Sequence, residues 1–230
     1  MKNFAFFEYE NEVSWVEALV KAWQRLGKLS LQSRGFFAVA LAGGKTPQPF
    51  YEALAKLEWD WDRTHLFFGD ERNVPSDHAE SNFFMVKQAL LDHISIPKAQ
   101  VHRWQTELGL RPAAEAYEQE LKHFLGDPPH LDLALLGVGT DGHTASLFPD
   151  TDALLEGQRL AVANEVKALN TTRFTLTCPI LNTAREAWFL VYGEEKRAVL
   201  EKLCDLESRY PASKVRPLNA KYFYTYYTKI

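Results

Sequence analysis

His143 closes a glycine-rich turn, Gly137-Val138-Gly139-Thr140-Asp141-Gly142, that follows the apolar run Leu131-Asp132-Leu133-Ala134-Leu135-Leu136. An imidazole titrates near neutral pH and can take a proton from an attacking water. The run reads as a short strand buried on both faces of a parallel sheet. Its turn therefore brings an ionisable ring to the carboxyl end of a strand, where open α/β sheets bind their ligands. The glycines allow a sharp turn and a close approach of backbone to ligand. Thr144 and Ser146 come next, before Leu147, Phe148 and a stop at Pro149. A packed or solvated histidine after an ordinary turn would look the same in isolation, so the other candidate groups decide.

Two such groups sit at the ends of other predicted strands. Residues 36–41 run into Ala42-Gly43-Gly44-Lys45-Thr46-Pro47, then a helical stretch with Phe50, Leu54 and Leu57. Proline at the first helical position suits a helix start. Free N–H groups at that start, with the charge of Lys45, make a candidate phosphate cradle, although a plain strand-to-helix turn also fits. The spacing matches neither a Walker loop nor a dinucleotide fingerprint. Residues 65–68 lead into Gly69-Asp70-Glu71-Arg72-Asn73-Val74-Pro75, with three consecutive charges at a strand end. These read as a solvated loop or as an electrostatic site, Arg72 binding an anion and a carboxylate orienting a base or water. Arg173 lies in the alternating run 171–177. Lys196 stands near a helix start, where a cation opposes the helix dipole and so hints at a ligand.

The elements that must position these groups alternate in type. Helices are expected over residues 12–29 (with Gly27 loosening the end), around Phe83, Val86 and Leu90, over 107–124 and over 194–206. Residues 187–192 read as a buried strand, 101–104 and 160–162 as short strands, and 222–227 as an aromatic edge strand. A polar surface loop is expected from Pro149 to Gly157. Strands alternating with helices predict an α/β fold with a doubly wound, mostly parallel sheet. The length suits a single domain over residues 1–230.

Composition narrows the function classes. Hydrophobic residues at 46% and charged residues at 24% are those of an ordinary globular protein. A net charge of −4 provides no basic footprint for nucleic acid or an anionic membrane. No run approaches the ~20 apolar residues of a membrane span, and acids directly after a short N-terminal apolar patch do not make a secretory signal. Cys178 and Cys204 lack metal-binding spacing and read as free thiols in a reducing cytosol. The expected location is cytoplasmic. His65, His78, His93, His102, His123 and His130 show no ligand spacing and are expected at the surface.

Taken together, the segments 42–47, 69–75 and Gly137-Val138-Gly139-Thr140-Asp141-Gly142-His143-Thr144-Ala145-Ser146-Leu147-Phe148-Pro149 resemble the glucosamine-6-phosphate isomerase/6-phosphogluconolactonase family, on its lactonase side. The strand holding Arg173 and the turn Pro211-Ala212-Ser213 extend the resemblance over nearly the whole chain. It implies a Rossmann-like fold similar to glucosamine-6-phosphate deaminase and ribose-5-phosphate isomerase, with no metal and no organic cofactor. It implies hydrolysis of 6-phospho-D-glucono-1,5-lactone, a carboxylic ester, in the oxidative pentose phosphate pathway. His143 carries over as the general base, with Asp70 and Arg72 as companions. Gly43, Gly44, Lys45, Thr46 and Arg173 carry over as the phosphate end, and Asp141, Gly142 and Lys196 join the substrate-binding set. Ala42 and Lys45 depart from the family loop, which often has Ser before the glycines and Ser or Arg after them. The tail Ala220 to Tyr227 departs from the usual Trp–Asp–Ala-like segment.

In the expected mechanism, His143 activates water, Asp70 orients His143 or stabilises its imidazolium, and glycine-turn N–H groups with Arg72 meet the oxyanion. A covalent route through Ser146 or Thr144 is the rival, although no G-x-S-x-G elbow is present. The nearest rival activity is an amino-sugar phosphate deaminase or isomerase. A non-catalytic sugar-phosphate sensor belongs to a different class and would need a DNA-binding module that a single N-terminal helix does not supply. The expected partner is a small sugar-phosphate lactone, with a monomer or weak homo-oligomer and neither nucleic acid nor membrane.

Overall fold

The computed structural model describes residues 3–203 and 208–225. The expected free thiol of Cys204 and the last residues of the helix and strand predicted to reach Leu206 and Tyr227 lie outside these. The chain order is β1 (Asn3–Glu8), α1 (Glu12–Arg34), β2 (Phe37–Leu41), α2 (Gln48–Leu54), β3 (Thr64–Phe68), β4 (Asp70–Arg72), α3 (Asn82–Ala89) and β5 (Val101–His102). It continues with α4 (Leu110–Leu125), β6 (Leu133–Gly137), α5 (Asp152–Leu155), β7 (Ala161–Val166) and β8 (Thr171–Leu176). The last elements are α6 (Cys178–Leu181), β9 (Glu186–Tyr192), α7 (Arg197–Leu203) and β10 (Asn219–Thr225).

Seven strands form one sheet in the order β1-β10-β9-β6-β2-β3-β5, every neighbouring pair parallel. The apolar runs explain its centre: β2 is buried throughout, and β6 and β9 nearly so, as strands covered on both faces must be. From β2 the chain steps outward through β3 to β5, then returns to place β6 on the other side of β2 and steps outward through β9 and β10. The order reverses between β2 and β6, and a crevice opens beyond the carboxyl ends of such a pair. The glycine-rich turns predicted from sequence lie there, after Leu41 and after Leu136.

A second sheet of three antiparallel strands, β4-β8-β7, stands beside this end. The chain passes from one sheet to the other at Gly69, whose N–H donates to Leu41 O at 2.9 Å while its carbonyl accepts from Leu176 N at 2.8 Å. The residues read as a charged loop are thus partly a strand, and Arg72 is set directly opposite Arg173.

Other expectations are corrected. Gly27 does not end its helix: α1 runs on to Arg34 and stops at Gly35, whose φ of 81° is the left-handed cap. Gly27 is glycine because the Trp59 indole packs against it. The tail strand is not at the edge, since β10 lies between β9 and β1, and β1 was not anticipated. The short strand expected over 160–162 is the six-residue β7, and α5 interrupts the loop after Pro149.

Candidate active site

The turn after β6 folds on its own backbone. Gly139 N–H donates to His143 O and Gly142 N–H donates to Gly139 O, each at 2.9 Å, with Gly142 at φ 77°. A Cβ on Gly139 would collide with the His143 imidazole and the Asp141 carboxylate. The close approach that this glycine permits is therefore to the chain's own side chains. His143 Nδ1 lies 2.6 Å from Asp141 Oδ1, which also accepts the His143 backbone N–H at 3.1 Å. A carboxylate on Nδ1 selects the Nδ1–H tautomer and leaves Nε2 with its lone pair. Phe148 stacks against the ring, centroids 4.2 Å apart, and among the described residues Nε2 has no hydrogen-bond partner. Partial burial opposes ionisation of Asp141, but the His143 N–H and the neighbouring imidazole hold its carboxyl below the ordinary aspartate value.

His143 lines a cavity of about 350 Å³ together with Gly43, Gly44, Thr46, Asp70, Arg72, Arg173 and Lys196. The structure thus brings together most of the groups singled out in the sequence, from the loops after β2 and β6, from β4 and β8 and from the turn before α7. Four expected placements change. Asp70 is not the carboxylate bonded to His143: its Oδ2 accepts the Ser146 hydroxyl at 2.6 Å, and Asp141 takes the anchoring role. Asp141 itself lines a separate cavity of about 500 Å³ beyond Phe148. Lys45 lines an adjoining cavity of about 330 Å³, which shares Gly44, Arg72 and Arg173 with the first. Gly142 serves the turn, where its carbonyl accepts the Ala212 N–H at 2.9 Å.

The hydroxyls considered as nucleophiles are held elsewhere. Thr144 Oγ1 donates to Gly137 O at 2.8 Å, and Ser146 Oγ donates to Asp70. Neither is paired with the imidazole, as an activated nucleophile would be.

Arg72 and Arg173 form the cationic wall. Burial, and then the charge of Arg72, pushes the Arg173 guanidinium below its ordinary value. Among the described residues, Arg173 Nε is buried without a hydrogen-bond partner. A buried donor left open beside a second cation is the electrostatic complement of an anion. Glu71, between Asp70 and Arg72 in sequence, has a structural role. Its carboxylate is 2% exposed and accepts the backbone N–H groups of Arg72 (2.7 Å), Asn82 (2.7 Å) and Phe83 (2.8 Å) and the Ser81 hydroxyl (3.0 Å). Burial raises its pKa even against those four bonds. It caps the start of α3 and ties β4 to it.

Asn82 carries no signal in the sequence, where it ends a polar stretch from Ser76 before the helix around Phe83. It is buried, and its carboxamide contacts both Asp70 and Arg72.

The surface placement expected of the remaining histidines fails for two of them. His102 is 1% exposed and stacks on Phe67, with its Nε2 3.0 Å from Nδ1 of the half-buried His65. Among the described residues no group of three or more His, Cys, Asp or Glu side chains is arranged to hold a metal ion, and no helix is long and apolar enough to cross a membrane.

A parallel sheet with a histidine and an arginine pair at its switch point places the chain among the α/β proteins with a polar crevice at the strands' carboxyl ends. The chain belongs to the glucosamine-6-phosphate isomerase/6-phosphogluconolactonase family, whose model matches residues 10–224. It is 42% identical over 208 residues to a 6-phosphogluconolactonase of Synechocystis, covering 87% of this chain and 85% of that protein. It is 36% identical over 188 residues to the 6-phosphogluconolactonase of Thermotoga maritima, covering 82% and 84%. Among solved structures, a Thermotoga maritima 6-phosphogluconolactonase superposes with a TM-score of 0.88 at 32% identity, over 98% of this chain and all of that one. The enzyme from Trypanosoma cruzi superposes with a TM-score of 0.86 at 26% identity, over 98% and 96%.

Proposed function

We propose that the chain hydrolyses 6-phospho-D-glucono-1,5-lactone to 6-phospho-D-gluconate, the reaction named by its relatives, as a cytoplasmic enzyme of the oxidative pentose phosphate pathway. The observation that carries the reading is His143, anchored by Asp141 and with Nε2 unengaged among the described residues, on the same cavity as the Arg72–Arg173 wall.

In this reading, Arg173, Lys196 and the Gly43–Gly44–Thr46 turn hold the phosphate and so fix the lactone carbonyl near the imidazole. Water attacks the carbonyl carbon while His143 Nε2 takes its proton. Asp141 keeps Nδ1–H directed and stabilises the imidazolium that forms. The negative charge gathering on the carbonyl oxygen is met by Arg72. Collapse of the tetrahedral species breaks the bond to the ring oxygen, which receives the proton from Nε2. The products are the open-chain hydroxyl and a carboxylate, and the acid proton passes to solvent. The residues complete this cycle without a metal or organic cofactor.

The test is hydrolysis of freshly generated lactone, with spontaneous opening subtracted, by wild type and by His143→Ala. A large wild-type acceleration that the variant loses is the expected result. Absence of acceleration by folded wild type would sink the reading. Ammonia release from glucosamine 6-phosphate would transfer the site to the isomerase side of the family.

A further inference from the structure

We infer that Asn82 is a positioning residue that sets the directions of the Arg72 guanidinium and the Asp70 carboxylate, an inference that rests on the lactonase reading. Its carboxamide sits where the loop after β2, the strand β4 and the start of α3 meet. Nδ2 donates to Asp70 O at 2.9 Å and to Asp70 Oδ1 at 3.1 Å, while Oδ1 accepts from Arg72 Nη1. The amide orientation is forced by its neighbours, because a flipped carboxamide would set oxygen against two oxygens and NH2 against a guanidinium. The backbone is held as firmly: Asn82 N–H donates to Glu71 Oε1 at 2.7 Å.

The loop after β2 makes room for this arrangement. A Cβ on Gly43 would fall on the Asn82 carboxamide, so glycine at that position lets the amide reach between the cradle loop and the charged strand β4. Through Asp70 the chain of bonds continues to the Ser146 hydroxyl, in the loop that carries His143. Asn82 is 1% exposed and both its amide protons are committed. It has little left to offer a substrate directly, and acts through the two side chains it aims. Arg72 also donates to Glu80 O at 3.1 Å, but that carbonyl lies at an exposed position, and the Asn82 oxygen is its buried anchor. Two guanidiniums in register repel each other, so an anchor on Arg72 is what keeps it on the cavity wall beside Arg173.

A double-mutant cycle on lactone hydrolysis, with circular dichroism and Tm for each protein, tests this. Losing a hydrogen bond to a charged group corresponds to about 10- to 100-fold, and Asn82→Ala is expected to lower kcat/KM by that much. In an Arg72→Ala background the same change should cost less than about 3-fold, since the group it aims is gone. Full additivity of the two losses, or wild-type kcat/KM in a folded Asn82→Ala protein, would overturn the inference.

Asn82→Asp keeps the shape should the alanine variant fail to fold. Its carboxylate would bind Arg72 tightly and repel Asp70, so activity relative to wild type should rise as pH is lowered and the new group protonates. A purely packing role predicts a ratio that does not change with pH. A wild-type protein that turns over no lactone would sink the functional reading, whereas wild-type turnover with an indifferent Asn82 sinks this inference alone.

Discussion

His143 and His102 each set Nδ1 against a carboxylate, 2.6 Å from Asp141 and 2.7 Å from Glu120. Their remaining surroundings differ. His102 Nε2 faces His65, and its ring lies against Phe67 and Phe124, so both nitrogens are engaged and water is kept away. His143 has one nitrogen anchored, and the residue lines a cavity with two arginines. The first pattern stiffens the outer side of the sheet, where β3 meets β5. The second can move a proton. Sequence position also separates them: the buried pair points from within parallel strands, and the other ring stands beyond a strand's carboxyl end. An anchored imidazole does chemistry only where its second nitrogen and an electrophile can share a space.

Substitution sharpens the contrast. His143→Ala should lower kcat by about 10²- to 10⁴-fold, the usual contribution of a general base, with Tm almost unchanged. Asp141→Asn should lower kcat by about 10- to 100-fold, because Nδ1 loses the acceptor that fixes the tautomer. Arg173→Ala should raise KM by a similar factor and leave kcat less affected, since it removes binding common to substrate and transition state. His102→Ala should do the reverse, costing about 2–3 kcal/mol of stability with kcat/KM unchanged, as measured by denaturant unfolding beside steady-state kinetics.

The smallest effect concerns pH. Burial, and then the neighbouring His102, lowers His65 from 6.5 to about 4. The unfolded chain takes up that proton first, so His65 supports the fold fully above about pH 6.5 and loses this contribution as pH falls toward 4. His65→Asn should flatten that part of the Tm profile.

Much of this was legible because the decisive signals were local. Continuous apolar runs marked β2, β6 and β9, and glycines placed their turns at the switch point. Pairings across the chain were not legible. Asp141 stands two residues from His143 yet reads as a substrate contact, while Asp70, expected to orient His143 or stabilise its imidazolium, accepts the hydroxyl of the distant Ser146 and leaves Nδ1 to Asp141. Glu71 looked like a solvated charge because its four donors come from its own next residue and from a helix ten residues on. The strand β1 escaped because a short aromatic patch flanked by acids shows no clear alternation, and its partner β10 was taken for the edge that β1 supplies. His102 gave no hint of burial, since stacking between β3, β5 and α4 has no signature along the chain.

The register that sets Arg72 against Arg173 also bears on folding. Two cations face each other across this register, one of them partly desolvated, so the folded chain carries a repulsion that the unfolded chain relieves. An anion seated there removes that opposition and acts as a folding ligand, stabilising in proportion to the logarithm of its concentration. The protein should therefore melt at a higher temperature in phosphate than in chloride of equal ionic strength. Replacing either arginine with glutamine should raise the melting point in chloride and abolish the difference between the salts. Such a result would show that the arginine pair trades stability for anion binding.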